Sequence, residues 1–427
     1  MRISTSMLYD QGTVSVQNQY ADLLKIQQQM STGRRILAPS DDPIAAAHSL
    51  DVGQSQAANE QFIRNSNNAT SALQLQDSVL SDTGELLHRI RELTVNAGNP
   101  TLSAANRSSL ASELQTNYDQ LLAMANTNDG NGQYLFSGYK GGTQPFSETS
   151  PGTVVYNGDQ GQRLIQISSS RQVPVSNSGA DIFQLIHNGN GTFVTAAAAA
   201  NTGTGVVSPG NVLDPAAWNS ASNNKNLTVK FYVNSGVTPS VTTYDIVDNV
   251  SGNSLLTGVA AAAGPYPRTY TSGNTISLKS QGAEPAFDLG AELSVSGDPA
   301  TGDTFSVKAS TNQDIFTTLY SLITSLKSNG NNAAITNANN TALSNIDQAQ
   351  DKLFTVRAAV GSAMKEVEAQ RNTNDDLAVQ YKSTLSNLQD LDYTKAISDL
   401  TQKQVALEAA QKSFLKIQGL SLFNFIS

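Results

Sequence analysis

The 427-residue sequence has no cysteine and only three histidines, His48, His88 and His187. Disulfides, thiol nucleophiles and thiolate metal sites are thereby excluded, and three scattered histidines make a poor zinc site. Positive charge is also sparse: 26 Lys and Arg stand against 35 Asp and Glu, a formal net of −9. Phosphate binding needs clustered cations, so nucleic acid is not an expected partner, and an anionic membrane surface is disfavoured for the same reason. No run approaches the roughly 18–20 apolar residues that span a bilayer. The opening Met1-Arg2-Ile3-Ser4-Thr5-Ser6-Met7-Leu8-Tyr9-Asp10 lacks the apolar centre of a cleavable signal. A chain that leaves the cell with this sequence is expected to use neither a transmembrane anchor nor an ordinary signal peptide.

What is present is helical period at both ends. Tyr9, Val16, Leu23 and Met30 recur every seven residues and predict one seam along a helix. Gly33 and Pro39 end it, and Asp followed by Pro43 predicts a capped restart. The next helix carries three adjoining apolar lines: Ala69, Gln76, Thr83, Ile90; Leu73, Leu80, Leu87; and Ala72, Val79, Leu86, Leu93. A stripe that broad predicts bundle packing rather than a two-helix seam. After Asn99-Pro100, Ser103 is placed to cap a further helix. The C-terminal end mirrors this. Ile315, Leu319, Leu322, Ile323 and Leu326 share one face; Ile346, Leu353, Val360 and Val367 repeat every seven; Tyr393, Leu400, Leu407 and Phe414 do so again. The tail Leu420, Leu422, Phe423, Phe425, Ile426 is apolar and calls for a covering partner.

Between about 146 and 308 the period falls to two. Leu227, Val229, Phe231 and Val233 alternate with polar neighbours, and the pairs Tyr244/Ile246, Ile276/Leu278 and Phe305/Val307 mark further strands. Thr153–Tyr156 and Leu164–Ile167 flank Asn157-Gly158-Asp159-Gln160-Gly161 and predict a hairpin around it. Residues 187–307 hold seven of the 13 prolines and the only tryptophan, Trp218, with four basic against eight acidic side chains. The expected fold class is therefore mainly α with an inserted antiparallel β domain. Three domains are expected: 1–45 with 375–427 as a terminal coiled-coil core, 46–145 with 309–374 as a helical bundle, and 146–308 as a β-rich outer domain. The chain goes out and comes back, so its first and last helices are expected to pair.

Catalytic chemistry finds little purchase. Asp41 and Asp42 are explained by helix capping without any ligand. Thr127 to Gly132 resembles a calcium loop only until the position of its bidentate acid, which is Gly138. No phosphate-cradling Gly-Lys-Ser/Thr motif occurs, and His48 and His88 fall within helical patterns as surface or packing residues. No catalytic, metal or cofactor site is assigned. Periodicity alone leaves two readings of the heptad stripes open, an intramolecular bundle and an assembly seam.

Specific residues decide between them. Ser31-Thr32-Gly33-Arg34-Arg35-Ile36-Leu37-Ala38-Pro39-Ser40-Asp41-Asp42-Pro43 closely resembles the N-terminal signature of the flagellin superfamily. Gly132-Gln133-Tyr134-Leu135-Phe136-Ser137-Gly138, Arg357-Ala358-Ala359-Val360-Gly361 and the stretch from Asp399-Leu400-Thr401 to Leu420-Ser421-Leu422-Phe423 are similar to later landmarks of the same family, in the same order. The opening Met-Arg-Ile-Ser-Thr, the Pro-Ser-Asp-Asp-Pro turn and the ending Ser-Leu-Phe-Asn-Phe-Ile resemble its junction branch, which joins hook to filament, more than flagellins, which more often read Ala-Lys-Asp-Asp-Ala at the turn.

The resemblance implies a structural, non-enzymatic subunit of the bacterial flagellum, exported through the flagellar type III apparatus to an extracellular position. It implies hook-associated protein 1 and flagellin as neighbours, self-association in a ring, and an export chaperone on the C-terminal tail. Tyr9, Val16, Leu23, Met30, Leu400, Leu407, Phe414, Leu422 and Phe423 are the expected assembly and chaperone contacts. Three rivals remain at this point. Flagellin itself would polymerise without limit, a secreted adhesive module would need an aromatic-lined surface around Trp218 and the tyrosines, and an outer-domain enzyme would need an acid/base pair or metal cluster.

Overall fold

The computed structural model describes residues 5–328 and 330–423, with side chains between residues 7 and 416 apart from Leu8. Eight helices lie among them: α1 (Thr5–Thr32), α2 (Pro43–Ala97), α3 (Ala104–Ala125), α4 (Gly179–Phe183), α5 (Pro215–Trp218), α6 (Ile315–Lys327), α7 (Asn332–Gln389) and α8 (Tyr393–Phe423). The strands are β1 (Phe146–Ser150), β2 (Thr153–Tyr156), β3 (Leu164–Gln166), β4 (Gln172–Pro174), β5 (Ile186–His187), β6 (Phe193–Ala197), β7 (Val206–Val207), β8 (Asn211–Val212), β9 (Asn226–Asn234), β10 (Val241–Asp248), β11 (Arg268–Thr269), β12 (Thr275–Lys279), β13 (Asp288–Ser296), β14 (Thr304–Ala309) and β15 (Asn312–Gln313). Two compact units result. One comprises Met1–Asn67, Gln166–Arg171 and Glu368–Ser427, the other Asn68–Ile165 and Gln172–Val367.

The first unit is built from helix ends and one hairpin tip. α1 stops at Gly33, whose φ of +69° suits a residue without a Cβ. α2 starts where expected: Asp42 Oδ1 accepts from Ala45 N at 3.0 Å, and Pro43 occupies the first turn. Asp41 does something else. Its Oδ2 accepts from Leu37 N and Ala38 N, and its Oδ1 meets Lys25 Nζ at 2.6 Å, so it ties the turn back onto α1. Residues 166–171 rest on polar side chains of α2 and α7. Asn65 donates to Gln166 O at 2.7 Å, buried Asn374 donates to Ile167 O at 3.0 Å, and Asn59 donates to Asn374 O at 2.6 Å.

In the second unit the remaining lengths of α2 and α7 pack with α3 and α6. Leu73, Leu80, Leu87 and Ile90 of α2, Leu114 and Leu121 of α3, and Ile346, Leu353 and Val360 of α7 are buried, as the periodicity requires. All five apolar residues expected on one face of α6 are buried too. Ser103 caps α3 by accepting from Asn106 N, and Asp314 caps α6 by accepting from Thr317 N. Phe146 of β1, Phe183, Phe316 and Tyr118 form an aromatic cluster with centroids 5.6–6.1 Å apart, edge-to-face in the Tyr118–Phe316 and Phe146–Phe183 pairs and tilted in the other two.

The predicted hairpin around 157–161 does not form. β2 pairs instead with β1, and β3 pairs with β4. The two-residue link Pro151-Gly152 explains the choice: Pro presets φ at the second turn position and Gly152, at φ +77°, takes the left-handed third. The 157–161 segment becomes a loop held by Asp159, whose Oδ1 accepts from Tyr139 N and Gly161 N.

Beyond these pairs β5 pairs with β15, and the rest of the insertion is two antiparallel sheets. One has the order β11-β10-β9-β14-β6; in the other, β12-β13-β7, β8 also pairs with β13. The alternation read at 227–233 is β9, and the other predicted pairs fall on β10, β12 and β14. Phe193, Trp218, Phe231, Ile246, Leu278, Val295 and Phe305 fill the core. Trp218 is 1% exposed and packs at a tilt with its ring centroid 5.1 Å from that of Phe193, so it lines no adhesive surface.

The candidate assembly surface

α1 and α8 lie together in one antiparallel seam, across which the candidate residues Tyr9, Met30 and Phe414 make contacts. At one end the Tyr9 ring stands edge-on to Phe414 with centroids 5.2 Å apart. In the middle Lys403 Nζ lies 2.7 Å from Asp22 Oδ2, and at the other end Tyr393 Oη donates to Met30 O at 3.1 Å. The heptad spacing does this because both stripes turn to the same side of their helices. Val16, Met30, Leu400, Leu407 and Phe414 are only half-buried, however, and Tyr393 is exposed. Leu23 and Ala396 alone in α1 and α8 are buried among the described side chains. The side chains of Leu422 and Phe423 lie outside the described residues.

Gly12 makes the tight end possible. A Cβ there would come within 2.8 Å of Phe414 Cδ2, so a side chain would displace the ring. Gly12 was not legible as a contact residue, because one glycine inside a helical run carries no periodic signal.

The outer faces of the same helices carry uncovered apolar side chains. Met7, Val14, Tyr20 and Leu24 of α1 and Ile397, Val405 and Leu415 of α8 are all exposed, Val405 and Leu415 by 62% and 64%. Near the turn, Ile44 is 84% exposed and Leu50 73%. Apolar side chains thus repeat along both helices rather than standing scattered singly, as they do on an ordinary monomer surface.

The signature turn clamps the link between α7 and α8. Arg35 N donates to Gln389 O at 2.8 Å, Leu391 N donates to Gly33 O at 2.9 Å, and Arg35 Nη2 donates to Leu388 O at 2.8 Å. Arg35 also approaches Asp42 at 3.3 Å, and Gln29 donates to Arg35 O. Asp392 then caps α8 by accepting from Thr394 N and Lys395 N. Hydrogen bonds from Lys25 and from the Ala38 and Leu37 amides pull the Asp41 carboxyl down to about 2; the Ala45 amide and Arg35 lower Asp42 as well. Sequence reading found this turn and its caps but not its partner. Leu388 to Leu391 bond through main-chain atoms, which leave no mark in side-chain identity.

Among the described residues no group of three or more His, Cys, Asp or Glu is placed to hold a metal ion. No helix among them is long and apolar enough to cross a membrane.

Comparison with known proteins agrees with this geometry. Residues 3–141 match the bacterial flagellin N-terminal helical region and residues 343–426 the bacterial flagellin C-terminal helical region. Flagellar hook-associated protein 3 of Salmonella typhimurium is 30% identical over 424 residues, covering 99% of both chains. Among solved structures, a flagellar hook-associated protein-3 from Legionella pneumophila superposes with a TM-score of 0.69 at 34% identity, over 79% of this chain and 98% of that one. FlgL from Xanthomonas campestris gives 0.67 at 30%, over 78% and 99%. The flagellin models match only the helical ends, whereas these likenesses run through the β insertion as well. The chain belongs to the flagellar hook-associated protein 3 family, the flagellin-like structural proteins of the hook–filament junction in the bacterial flagellum.

Proposed function

We propose that the chain forms a ring between hook-associated protein 1 and flagellin, and that α1 and α8 are the surfaces through which it joins the lattice. The observation that carries this reading is the half-covered seam with apolar rows on its outer faces, from Met7 to Leu24 and from Ile397 to Leu415. Two helices burying so little cannot offset the entropy of ordering them, so neighbouring subunits must supply the remaining burial. In this reading residues 1–45 and 375–427 pack in the tubular core, 46–145 and 309–374 form the wall, and 146–308 lies outside. The seam residues Tyr9, Val16, Leu23, Met30, Leu400, Leu407 and Phe414 set the pairing.

In this reading the chain reaches the extracellular flagellum by export through the flagellar type III apparatus, as the family resemblance implies. Leu422 and Phe423 lie in the uncharged segment 417–427, which suits a chaperone groove during export. The role is structural and involves no catalysis.

The test is a chain truncated from Phe414 onward, expressed in a strain lacking the gene. Its outer β domain should melt as in the full chain, while cells carry hooks without filaments and shed flagellin into the medium. Restored motility would sink the proposal.

A further inference from the structure

We propose that Asn131 is a site of spontaneous covalent modification, converting without an enzyme to aspartate and isoaspartate through its own backbone neighbour, Gly132. The chemistry is intramolecular. The Gly132 nitrogen loses its proton and attacks Asn131 Cγ, a C–N bond forms, and the side-chain amide leaves as ammonia. Water then opens the five-membered imide at either carbonyl, giving aspartate or, with the main chain rerouted through Cβ, isoaspartate. The step needs a mobile carboxamide, a free following N–H and a following residue without a Cβ to crowd the attack.

Four Asn-Gly pairs lie wholly within the described residues, and the structure treats them differently. Asn157 donates to Ser147 Oγ at 3.0 Å and to Gln144 O at 3.5 Å. Asn188 accepts from Thr311 N and donates to Thr311 Oγ1, and the following Gly189 N donates to buried Asn345. Asn190 accepts from Thr192 N and Phe193 N and donates to Gly210 O, while Gly191 N donates to Asn188 O. Asn131 differs from all three. It is exposed, its carboxamide has no hydrogen-bond partner, and the Gly132 N–H has none either. Nothing lies within 4 Å of where a Gly132 Cβ would be, so the approach is open.

The site also has something to disturb. Asp129 Oδ1 accepts from Asn131 N at 2.9 Å and from Gln133 N at 3.0 Å, and Leu135 N donates to Thr127 O at 3.0 Å. Isoaspartate adds a methylene to the main chain inside that chelate and places a second carboxylate beside Asp129, so the loop leading into Tyr134-Leu135-Phe136 loses its register.

The experiment incubates the purified full-length chain in mildly alkaline buffer and follows all four sites by peptide mapping, with enzymatic isoaspartate detection. One restraining hydrogen bond lowers the reactive population roughly fivefold and each of the other three side chains makes at least two, so Asn131 should convert at least roughly tenfold faster than Asn157, Asn188 or Asn190. In concentrated urea, where those bonds are gone, the four rates should converge. Asn131→Gln should abolish the native-state product, and hydrogen exchange at Gln133 and Leu135 should quicken as wild-type product accumulates. Comparable native rates at any of the other three sites, or an Asn131 that reacts in urea but not in the native chain, would overturn the proposal.

Discussion

Glu284→Gln tests whether a buried ion pair holds the two sheets of the central β domain together. Arg268, on the edge strand β11, lies against the edge of β12. Its Nη1 donates to Ser277 O at 2.9 Å and its Nη2 to Lys279 O at 2.5 Å. Its Nε and Nη2 grip the two oxygens of Glu284 at 2.9 and 2.6 Å, and the guanidinium sits 5.9 Å from the Phe287 ring. The side chains are 6% and 14% exposed, so solvent screens the pair little. Removing one charge of such a pair leaves the other desolvated, which costs about 3 kcal/mol at the low end of measured cases. At roughly 2–4 °C per kcal/mol for a domain of this size, the transition that melts the β sheets should fall by about 6–12 °C at neutral pH. The Arg268 hydrogen bond, with the Gln281 amide, holds the Glu284 carboxyl below the usual carboxylate range. A group depressed on folding stabilises above its unfolded pKa, about 4.3, and loses that contribution as pH falls through the lower folded value. The gap between wild type and variant should therefore close in acid. Thermal melts by circular dichroism at neutral and acidic pH measure both effects. Equal neutral melting temperatures would refute the reasoning; the double change Arg268→Met with Glu284→Leu should recover most of the loss, since a hydrophobic pair needs no charge partner.

Other consequences are simpler to state. Gln76 sits on the buried α2 line with neither amide atom meeting a protein partner, so Gln76→Leu should stabilise the helical part of its unit by about 1–3 kcal/mol in urea denaturation. A neutral or negative result would mean the amide is satisfied after all. Asn374→Leu strips Ile167 O of its donor, and amide exchange across 166–171 should quicken roughly tenfold, a loss of about 1.4 kcal/mol. Asp41 should titrate at about 2 by carboxyl-carbon NMR. Its support of the turn is present above the unfolded carboxylate range and lost as pH falls through that value. Asp41→Asn should make exchange at Leu37 and Ala38 faster at neutral pH, and unchanged exchange would count against the turn's dependence on that carboxylate.

Sequence legibility followed the kind of interaction. Wherever burial enforces a period, the residues announced it: Ile346, Leu353, Val360 and Val367 are all buried at the spacing read from the chain, and so are Leu227, Val229 and Phe231 of β9, with Val233 half-buried at its end. Caps were legible for the same reason, since Ser103 and Asp42 have a side chain whose chemistry fits one backbone position. The hairpin at 157–161 was misassigned because Gly-rich loops resemble one another, while the deciding pair, Pro151-Gly152, was read past. Arg268 and Glu284 are sixteen positions apart and follow no pattern, so their pairing emerged only with the fold. Along α1 and α8 the heptad shows which face of each helix is apolar and turned toward the other helix. It does not show how completely that face is covered.

That last distinction bears on function. In α7 the heptad positions are shut away from solvent, whereas the same repeat in α1 and α8 leaves Val16, Met30, Leu400 and Leu407 half-covered. Identical patterns thus carry opposite amounts of burial, and the difference lies in how many helices surround each. At about 25 cal/mol per Å², a half-covered side chain forfeits part of the 1.5–3 kcal/mol that full burial would supply. Over the paired helices this leaves several kcal/mol to be gained from a neighbour. Gly12, which lets Phe414 seat against Tyr9, shows that the pair is nonetheless shaped for one specific register. In the proposed assembly, a seam with defined register and incomplete burial lets the ends order against neighbours, so Gly12→Leu should impair incorporation while leaving the melting temperature of the β sheets unchanged. Normal filaments on the variant's hooks would show that the Tyr9–Phe414 register is dispensable.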